Sequence, residues 1–516
     1  MQAIKADAGN TTQDNGLDLR LGTSFENLQL NIEIQDNQKY STVAGEQDKR
    51  DDEDLQGEDD KPETLERHDW EVINAIPDVD FKRLLLQWED TALDTDIEED
   101  CHVLQHIEGA YNHIVFMYTD TQEVKQYVIK VPAIGSEARW QEGDAHNLRS
   151  ECGIVEHILK CKLNVPVPEI ISYDDTFFNP ISAPYVLMKR LAGIPAYKMW
   201  DPTEQERDHI SASRVSAETR QKRITFLRSL AKAMTGLSKL EYNMIGMPDF
   251  GGRPVLQEPE IMHSYRWTHP DNLTREDLTT ENQLYKFGPF TSSKEYMTHR
   301  LDGVFPSSGL DPELYDTNKQ NYLYGIRKIL DIIYAHPCIA FSKKHPDDAK
   351  ETFVLRHTDL DLQNILVNDE GEVTGILDWE GCMTAPRCIG YATLPVFLMA
   401  DWQVGFTLQD APCMPSWELD FYRDIYTEAI FDAGCLVADA RYTRKSGMYR
   451  AIAGALDDGG DAEDLVKNVL LEIPGTRRMD LDKLIRLVGI GWEEAEEYLK
   501  IEINKVLEPE DRVLGQ

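Results

Sequence analysis

From Phe81 onward apolar residues recur at helical spacing, with Phe81, Leu84, Leu85 and Trp88 on one face, which predicts a short helix where the ordered chain begins. Two β-rich runs follow, HIVFMYT from His113 and VKQYVIKV from Val124, and the polar residues Asp120 to Glu123 between them predict a hairpin. Residues 146–163 switch to a helical period in Leu148, Cys152, Val155 and Leu159, and the prolines of PVPEI end that helix before another strand. APYVLMKRLAG, residues 183–193, reads as a buried strand running into a glycine turn. Beyond it the pattern is mainly helical. Phe226, Leu227, Leu230, Met234 and Leu237 share a face within 223–240, as do Leu323, Ile326, Leu330 and Ile333 within 321–337, before a proline stop. Between these helices lies a polar stretch, 246–310, with little periodicity. Residues 414–510 alternate helical patterns with breaks at 457–464 and 472–478.

One stretch carries chemistry as well as pattern. In LRHTDLDLQNILV, residues 355–367, acidic and amide side chains crowd in front of Ile365–Val367, which reads as a strand. GEVTGILDW from Gly371 reads as its hairpin partner, with Asp369 to Gly371 as the turn. Asp359 and Asn364 then sit in the loop entering the hairpin and Asp378 at its exit, so three oxygen-bearing side chains converge. Phosphoryl transfer from a nucleotide needs such a set: a carboxylate near the acceptor hydroxyl, and hard oxygen ligands holding Mg²⁺ against the phosphates. His-x-Asp-x-x-x-x-Asn, then a hairpin, then a second aspartate is the spacing of kinase catalytic and metal loops.

Charge narrows the partners. The net charge is −39, and residues 1–100 alone carry 28 acidic against 9 basic side chains, about half of the imbalance. Residues 1–77, with the run DKRDDEDLQGEDDKPE, cannot bury a core and are expected to be a disordered acidic tail. So acidic a chain lacks the basic footprint that nucleic acid or an anionic membrane surface requires, so neither is expected as a partner. A cationic small molecule is electrostatically easier. The 8 cysteines show no C-x-x-C pair and no Cys/His metal spacing, and read as reduced thiols. No signal or Arg-rich transit pattern and no membrane-length apolar run is visible, which makes a cytoplasmic location the expectation.

HTDLDLQNILV together with GILDWE resembles the aminoglycoside phosphotransferase-like kinases, in particular fungal-type members of that protein-kinase-like family that also carry a segment like GPFTSSKEY (288–296). The resemblance covers roughly residues 100–400. It implies an α+β, bilobal protein-kinase-like fold: a small β-rich N-lobe with one helix over 78–190, and a larger, mainly helical C-lobe over 191–413, with 414–516 as a helical extension. It implies Asp359 as catalytic base, His357 as a brace of the loop, and Asn364 and Asp378 as Mg²⁺ ligands. An ammonium within the apolar strand YVIKVP needs an anionic partner. The family places such a lysine, here Lys130, on the nucleotide phosphates and pairs it with a helix glutamate, best matched by Glu151 and next by Glu156. IEGAYNHIVF falls where the family's nucleotide-covering loop lies, with Gly109 its sole glycine, and YVLMKRLAG resembles the hinge, where backbone groups from Met188 to Arg190 would meet adenine. ATP is then the expected donor, with GTP as the alternative, and a small-molecule hydroxyl the acceptor.

Plainer readings stand beside these. Asp361 and Asp369 fit turn chemistry better than catalysis. Thr358 and Asp361 stand where the family commonly has Gly and His, which leaves the substrate open. Glu380 is left outside the metal set. A protein kinase fits less well, because Trp379 and Glu380 follow Asp378 in place of Phe-Gly and no Ala-Pro-Glu element follows. A nucleotide-binding scaffold without turnover is the alternative from another class.

Overall fold

The computed structural model describes residues 67–88, 101–120, 124–201, 215–251, 259–267, 284–306, 316–345, 347–403, 414, 416–434, 437–457 and 460–510. Two short helices, α1 (Trp70–Asn74) and α2 (Asp78–Leu86), precede strands β1 (Cys101–Glu108), β2 (Asn112–Asp120) and β3 (Val124–Pro132). Helix α3 (Glu142–Lys160) follows, then β4 (Ile170–Asp174) and β5 (Tyr185–Lys189). The five strands form one antiparallel sheet in the order β1-β2-β3-β5-β4.

Strand periodicity explains how this sheet serves two layers. Tyr127, Ile129 and Val131 of β3 turn to one face, where they join Val115, Met117 and Leu187 in a core closed by Ile73, Phe81, Leu84 and Leu85 of the two leading helices. Lys130, between them, turns to the other face. There α3 packs with Leu148 and Cys152 against Val186 of β5. A capping box between Gln141 and Asp144 starts α3, and Arg67 donates to the same Asp144.

After β5 the chain makes a two-residue strand, β6 (Ile194–Pro195), and enters the helical region through α4 (Ala217–Thr235). Strands β7 (Met247–Asp249), β8 (Glu260–Met262), β9 (Ser264–Trp267) and β10 (Leu284–Phe287) pair as two small ribbons before α5 (Ser293–Thr298) and α6 (Thr317–Tyr334). Then come β11 (Phe353–Arg356), the hairpin β12 (Ile365–Val367) and β13 (Val373–Ile376), and β14 (Met383–Pro386), which pairs with β11. Helices α7 (Ser416–Asp432), α8 (Ser446–Gly454), α9 (Ala462–Glu472), α10 (Leu481–Ile490) and α11 (Glu493–Leu507) complete the described chain. A second, larger core takes in α4, α6 and these last helices through residues such as Leu230, Ile326, Tyr426, Tyr449 and Val469, together with Ile154, Val155 and Ile158 of α3. The architecture is α+β, β-rich toward the N-terminus and helical toward the C-terminus, as expected.

Several local expectations shift. The described residues already include Arg67 and helix α1, which buries Ile73, ahead of Phe81 and within the span expected as tail; the rest of the expected disordered tail lies outside the described residues. Trp88 is exposed because α2 ends at Leu86, and Leu159 is exposed on the last turn of α3. The aperiodic stretch 246–310 holds strands of three or four residues, too short for a period to register, and buries Phe290, Tyr296 and Met297 of GPFTSSKEY and its flank. The six described cysteines that have free thiols include buried Cys152, Cys382 and Cys388. Among the described residues no helix is long and apolar enough to cross a membrane.

Candidate active site

The sheet side of the site is an ion cluster around Lys130. Its Nζ donates to both carboxylate oxygens of Glu151, at 2.9 and 3.1 Å, and reaches Asp378 Oδ1 at 3.2 Å and Glu380 Oε2 at 3.3 Å. Lys130 and Glu151 are 7% and 8% exposed, so each would be costly alone. Burial alone would push the Lys130 ammonium down, but Glu151, Asp378 and Glu380 outweigh it and hold its pKa well above the ordinary value. Glu151 is pushed up to about 7 by burial, against the pull of Lys130 and with the help of Glu380 and Asp378. The two directions are one fact seen from each partner: three carboxylates share one ammonium, and the excess is negative. Glu156, the second choice as partner, instead faces Lys160 one turn on.

The loop side is built on backbone hydrogen bonds. Asn364 Nδ2 donates to Asp359 Oδ2 at 2.8 Å and to the Asp359 carbonyl at 3.0 Å, which fixes the aspartate's rotamer while leaving its other oxygen unbound to Asn364. The Asn364 carbonyl accepts from Leu377 N at 2.8 Å, so this loop and the segment bearing Asp378 are stitched together. His357, buried, hydrogen-bonds through Nε2 to the Leu377 carbonyl at 3.0 Å, and the ring of Trp379 meets it edge-on at 4.8 Å. Since a carbonyl only accepts, Nε2 carries the proton. Burial lowers the His357 pKa despite that bond and the nearby Asp378 and Asp359, keeping the ring neutral. Asp378 adopts φ +57, a left-handed conformation that aspartate tolerates better than most residues. Burial would raise its pKa, but Lys130 beside it outweighs burial and holds the carboxyl below its ordinary value.

The remaining candidates lie further out. Gly109 closes the turn between β1 and β2, its amide donating to the Asn112 carbonyl at 2.9 Å, to which an added Cβ would approach within 3.2 Å. Met188 is paired within the sheet, opposite Val128 and Ile170. The Arg190 amide is committed to the Gln126 carbonyl at 3.0 Å and its guanidinium lies 5.0 Å over the Phe116 ring. That amide is therefore already engaged within the sheet. Asp361 caps a short 3₁₀ turn through the Leu362 amide, and Asn368 and the left-handed Gly371 shape the hairpin turn beside Asp369. Two further residues belong to the neighbourhood, Glu380, which was left outside the metal set, and Arg450, which local reading passes over. Glu380 reaches Lys130, and its spacing of two from Asp378 was the signal available for it. Arg450, from α8, donates Nη2 to the Thr358 carbonyl at 3.0 Å, and nothing local in the sequence marks it.

Metal fit follows from the donor set. Among the described residues no group of three or more His, Cys, Asp or Glu side chains makes a metal site. Asp378, with the amide oxygen of Asn364, offers hard oxygens for an ion that takes most of its ligands from phosphate and water, as Mg²⁺ does. The surplus negative charge around Lys130 suits such a cation.

A family model described as the phosphotransferase enzyme family matches residues 329–409, the segment that contains both loops, so the resemblance read from the motifs holds there. The protein named "Altered inheritance of mitochondria protein 9, mitochondrial" from Candida glabrata is 21% identical over 320 residues, 54% of this chain and 48% of that protein. Its namesake from Saccharomyces cerevisiae (strain RM11-1a) is 20% identical over 322 residues, 55% and 48% of the two chains. The chain thus spans about half the length of the curated relatives it matches. Among solved structures, aminoglycoside phosphotransferase APH(4)-Ia is 15% identical, with 75% of this chain and 98% of that one covered at a TM-score of 0.36. A Plasmodium vivax ethanolamine kinase is 12% identical, with 75% and 86% covered and a TM-score of 0.35. The mitochondrial names of the relatives overturn the expected cytoplasmic location. Net acidity does not distinguish one aqueous compartment from another, so the composition carried no information about which one.

Proposed function

We propose that this protein is a Mg²⁺-dependent phosphotransferase that moves the γ-phosphoryl group of ATP, or of GTP, to a hydroxyl of a small molecule. The observation that supports this best is the junction of the two sides: Lys130, clamped by Glu151, touches Asp378 across 248 residues of sequence, and Asp378 is stitched through Leu377 to the Asn364–Asp359 pair. Residues 78–190 serve as the nucleotide-binding part and the helical remainder as the acceptor-binding part.

In this reading Lys130 binds the α- and β-phosphates of the donor, and Glu151 keeps the ammonium aimed. Asp378 and Asn364 hold Mg²⁺, which when bound neutralises phosphate charge. Asp359, its rotamer set by Asn364, accepts the proton of the acceptor hydroxyl as the new O–P bond forms and the bond between the γ-phosphorus and its bridging oxygen breaks, leaving ADP. His357 braces the loop by its bond to Leu377 and carries no proton in the reaction. Gly109 and its turn cover the phosphates, and Met188 lies along the base.

Thermal unfolding of the wild type and Asp378→Asn, each with and without Mg-ATP, tests this. A ligand at a hundredfold over its dissociation constant adds about 2.7 kcal/mol to the folded state. A shift in the wild type that Asp378→Asn loses is expected; a shift without ADP release on any hydroxyl compound favours the nucleotide-binding scaffold, and no shift with Mg-ATP or Mg-GTP sinks both readings.

A further inference from the structure

A cavity of about 360 Å³ lies between residues 396–403 and helices α8 and α9. Its floor is apolar, from Val396, Met399, Trp402 and Leu465. Gly447 lets this floor close: a Cβ there would stand 3.0 Å from Trp402 and 3.3 Å from Met399. The cavity is fastened to the catalytic loop at two points that flank Asp359. Val396 N donates to the Leu360 carbonyl at 2.9 Å, and Arg450, a lining residue, donates to the Thr358 carbonyl at 3.0 Å.

Arg450 is the unusual wall. Arg67, Arg223, Arg387 and Arg423 are buried and each meets a carboxylate within ion-pair distance. Arg450 has no carboxylate within that distance among the described residues, and of its five N–H donors one is spent on a carbonyl. Asp359 and Asp361 act on it only from farther away, and Arg356, at the end of β11, acts against it. Burial first, then Arg356, lowers its pKa to about 9. A guanidinium so placed is costly without an anion beside it, and its fork matches carboxylate or phosphate.

We propose that this cavity receives the acceptor and that Arg450 recognises an anionic group, a carboxylate or a phosphate, carried by that acceptor near its reactive hydroxyl. This rests on the phosphotransferase reading. Asp457, Asp461 and Asp464 line the cavity too. They repel a second anion and accept a hydroxyl or an ammonium, so the molecule has one anionic end. Neutral polyols and plain amino alcohols leave Arg450 unmatched.

The test uses the full chain as wild type, Arg450→Gln and Arg450→Lys. ADP release from Mg-ATP is followed with glycerol and inositol, with ethanolamine and choline, with serine, homoserine and glycerate, and with glycerol 3-phosphate. Stimulation by the carboxylates or by the phosphate ester is expected, and which of them works decides the anion. Arg450→Gln should raise their KM at least tenfold while keeping the Mg-ATP thermal shift, and Arg450→Lys should recover part of the loss. Stimulation by neutral or purely cationic compounds alone, or an unchanged KM in Arg450→Gln, overturns the inference. If the wild type does not bind Mg-ATP, the phosphotransferase reading fails by itself. In that case, or if no compound is phosphorylated, thermal shifts with the monocarboxylate lactate and with inorganic phosphate decide: a shift lost in Arg450→Gln sustains the anion site, and equal shifts in both proteins overturn it. Should Arg450→Gln not fold, Arg450→Lys carries each comparison.

Discussion

The sheet side and the loop side of the site are fastened in opposite ways. Lys130 and Glu151 hold each other by charge, at under a tenth exposure, in a place where neither tolerates the loss of the other. Asp359 and Asn364 are only partly buried and are held by directed hydrogen bonds to backbone and to one another. On the function proposed above, replacing a residue on the first side is expected to disturb folding along with binding, whereas replacing Asp359 is expected to remove chemistry from an intact frame. Function and stability are therefore separable on the loop side and entangled on the sheet side.

The largest expected effect follows from that contrast. Asp359→Asn keeps the shape that Asn364 grips and removes the base, so turnover should fall by roughly a thousandfold with the melting temperature and the Mg-ATP shift nearly unchanged. Normal turnover in this variant would break the assignment. Lys130→Met should instead unsettle the fold, by about 3 kcal/mol in denaturant titrations at pH 8, and abolish the Mg-ATP shift. The sign with pH is fixed by Glu151. Already raised to about 7 with Lys130 present, it takes a proton more readily once the ammonium is gone, so the deficit shrinks as pH falls from 8 to 6. A deficit that grew toward pH 6 would show that Glu151 is not the buried partner. A smaller effect is expected at the junction of the two sides. Gly193 has φ +120, and a Cβ there would collide with Thr374 Oγ1 and stand 2.8 Å from the Val367 carbonyl. Gly193→Ala should cost about 1–3 kcal/mol, read as a lower denaturation midpoint with an unchanged slope.

Much of the loop side was legible because its determinants are local. His357, Asp359, Asn364 and Asp378 lie within 22 consecutive residues of sequence, the hairpin that spaces them is written in the apolar run Ile365–Val367 and its partner from Gly371, and its turn in Asp369 to Gly371. The helical stripes of α4 and α6 were equally plain. What escaped depends on contacts between distant segments. Arg67 meets Asp144 across 77 residues, and Arg450 meets Thr358 across 92. No period or motif reports which segment a lone arginine will find. Arg190 has a similar limit: whether a backbone amide is free depends on the partner strand, here Gln126 of β3. Trp88 looked like core because periodicity was extended past the point where the helix stops.

The short strand β6 has a mechanical consequence. Ile194 pairs with Val367 and Pro195 with Leu366, on the hairpin between Asn364 and Asp378, while Arg190 is still tied to the sheet through Gln126. Along this crossing the slack is three links, Leu191, Ala192 and Gly193, and the Ala192 carbonyl is itself held by Thr374. Rocking of the sheet against the helices has one pivot there, anchored a few residues from Asp378, while α3 is held to the helical core through Ile154, Val155 and Ile158. A pivot that close to the site transmits angle but little translation, so opening to admit a nucleotide would swing the far rim of the sheet widely while Lys130 and Asp378 part by little.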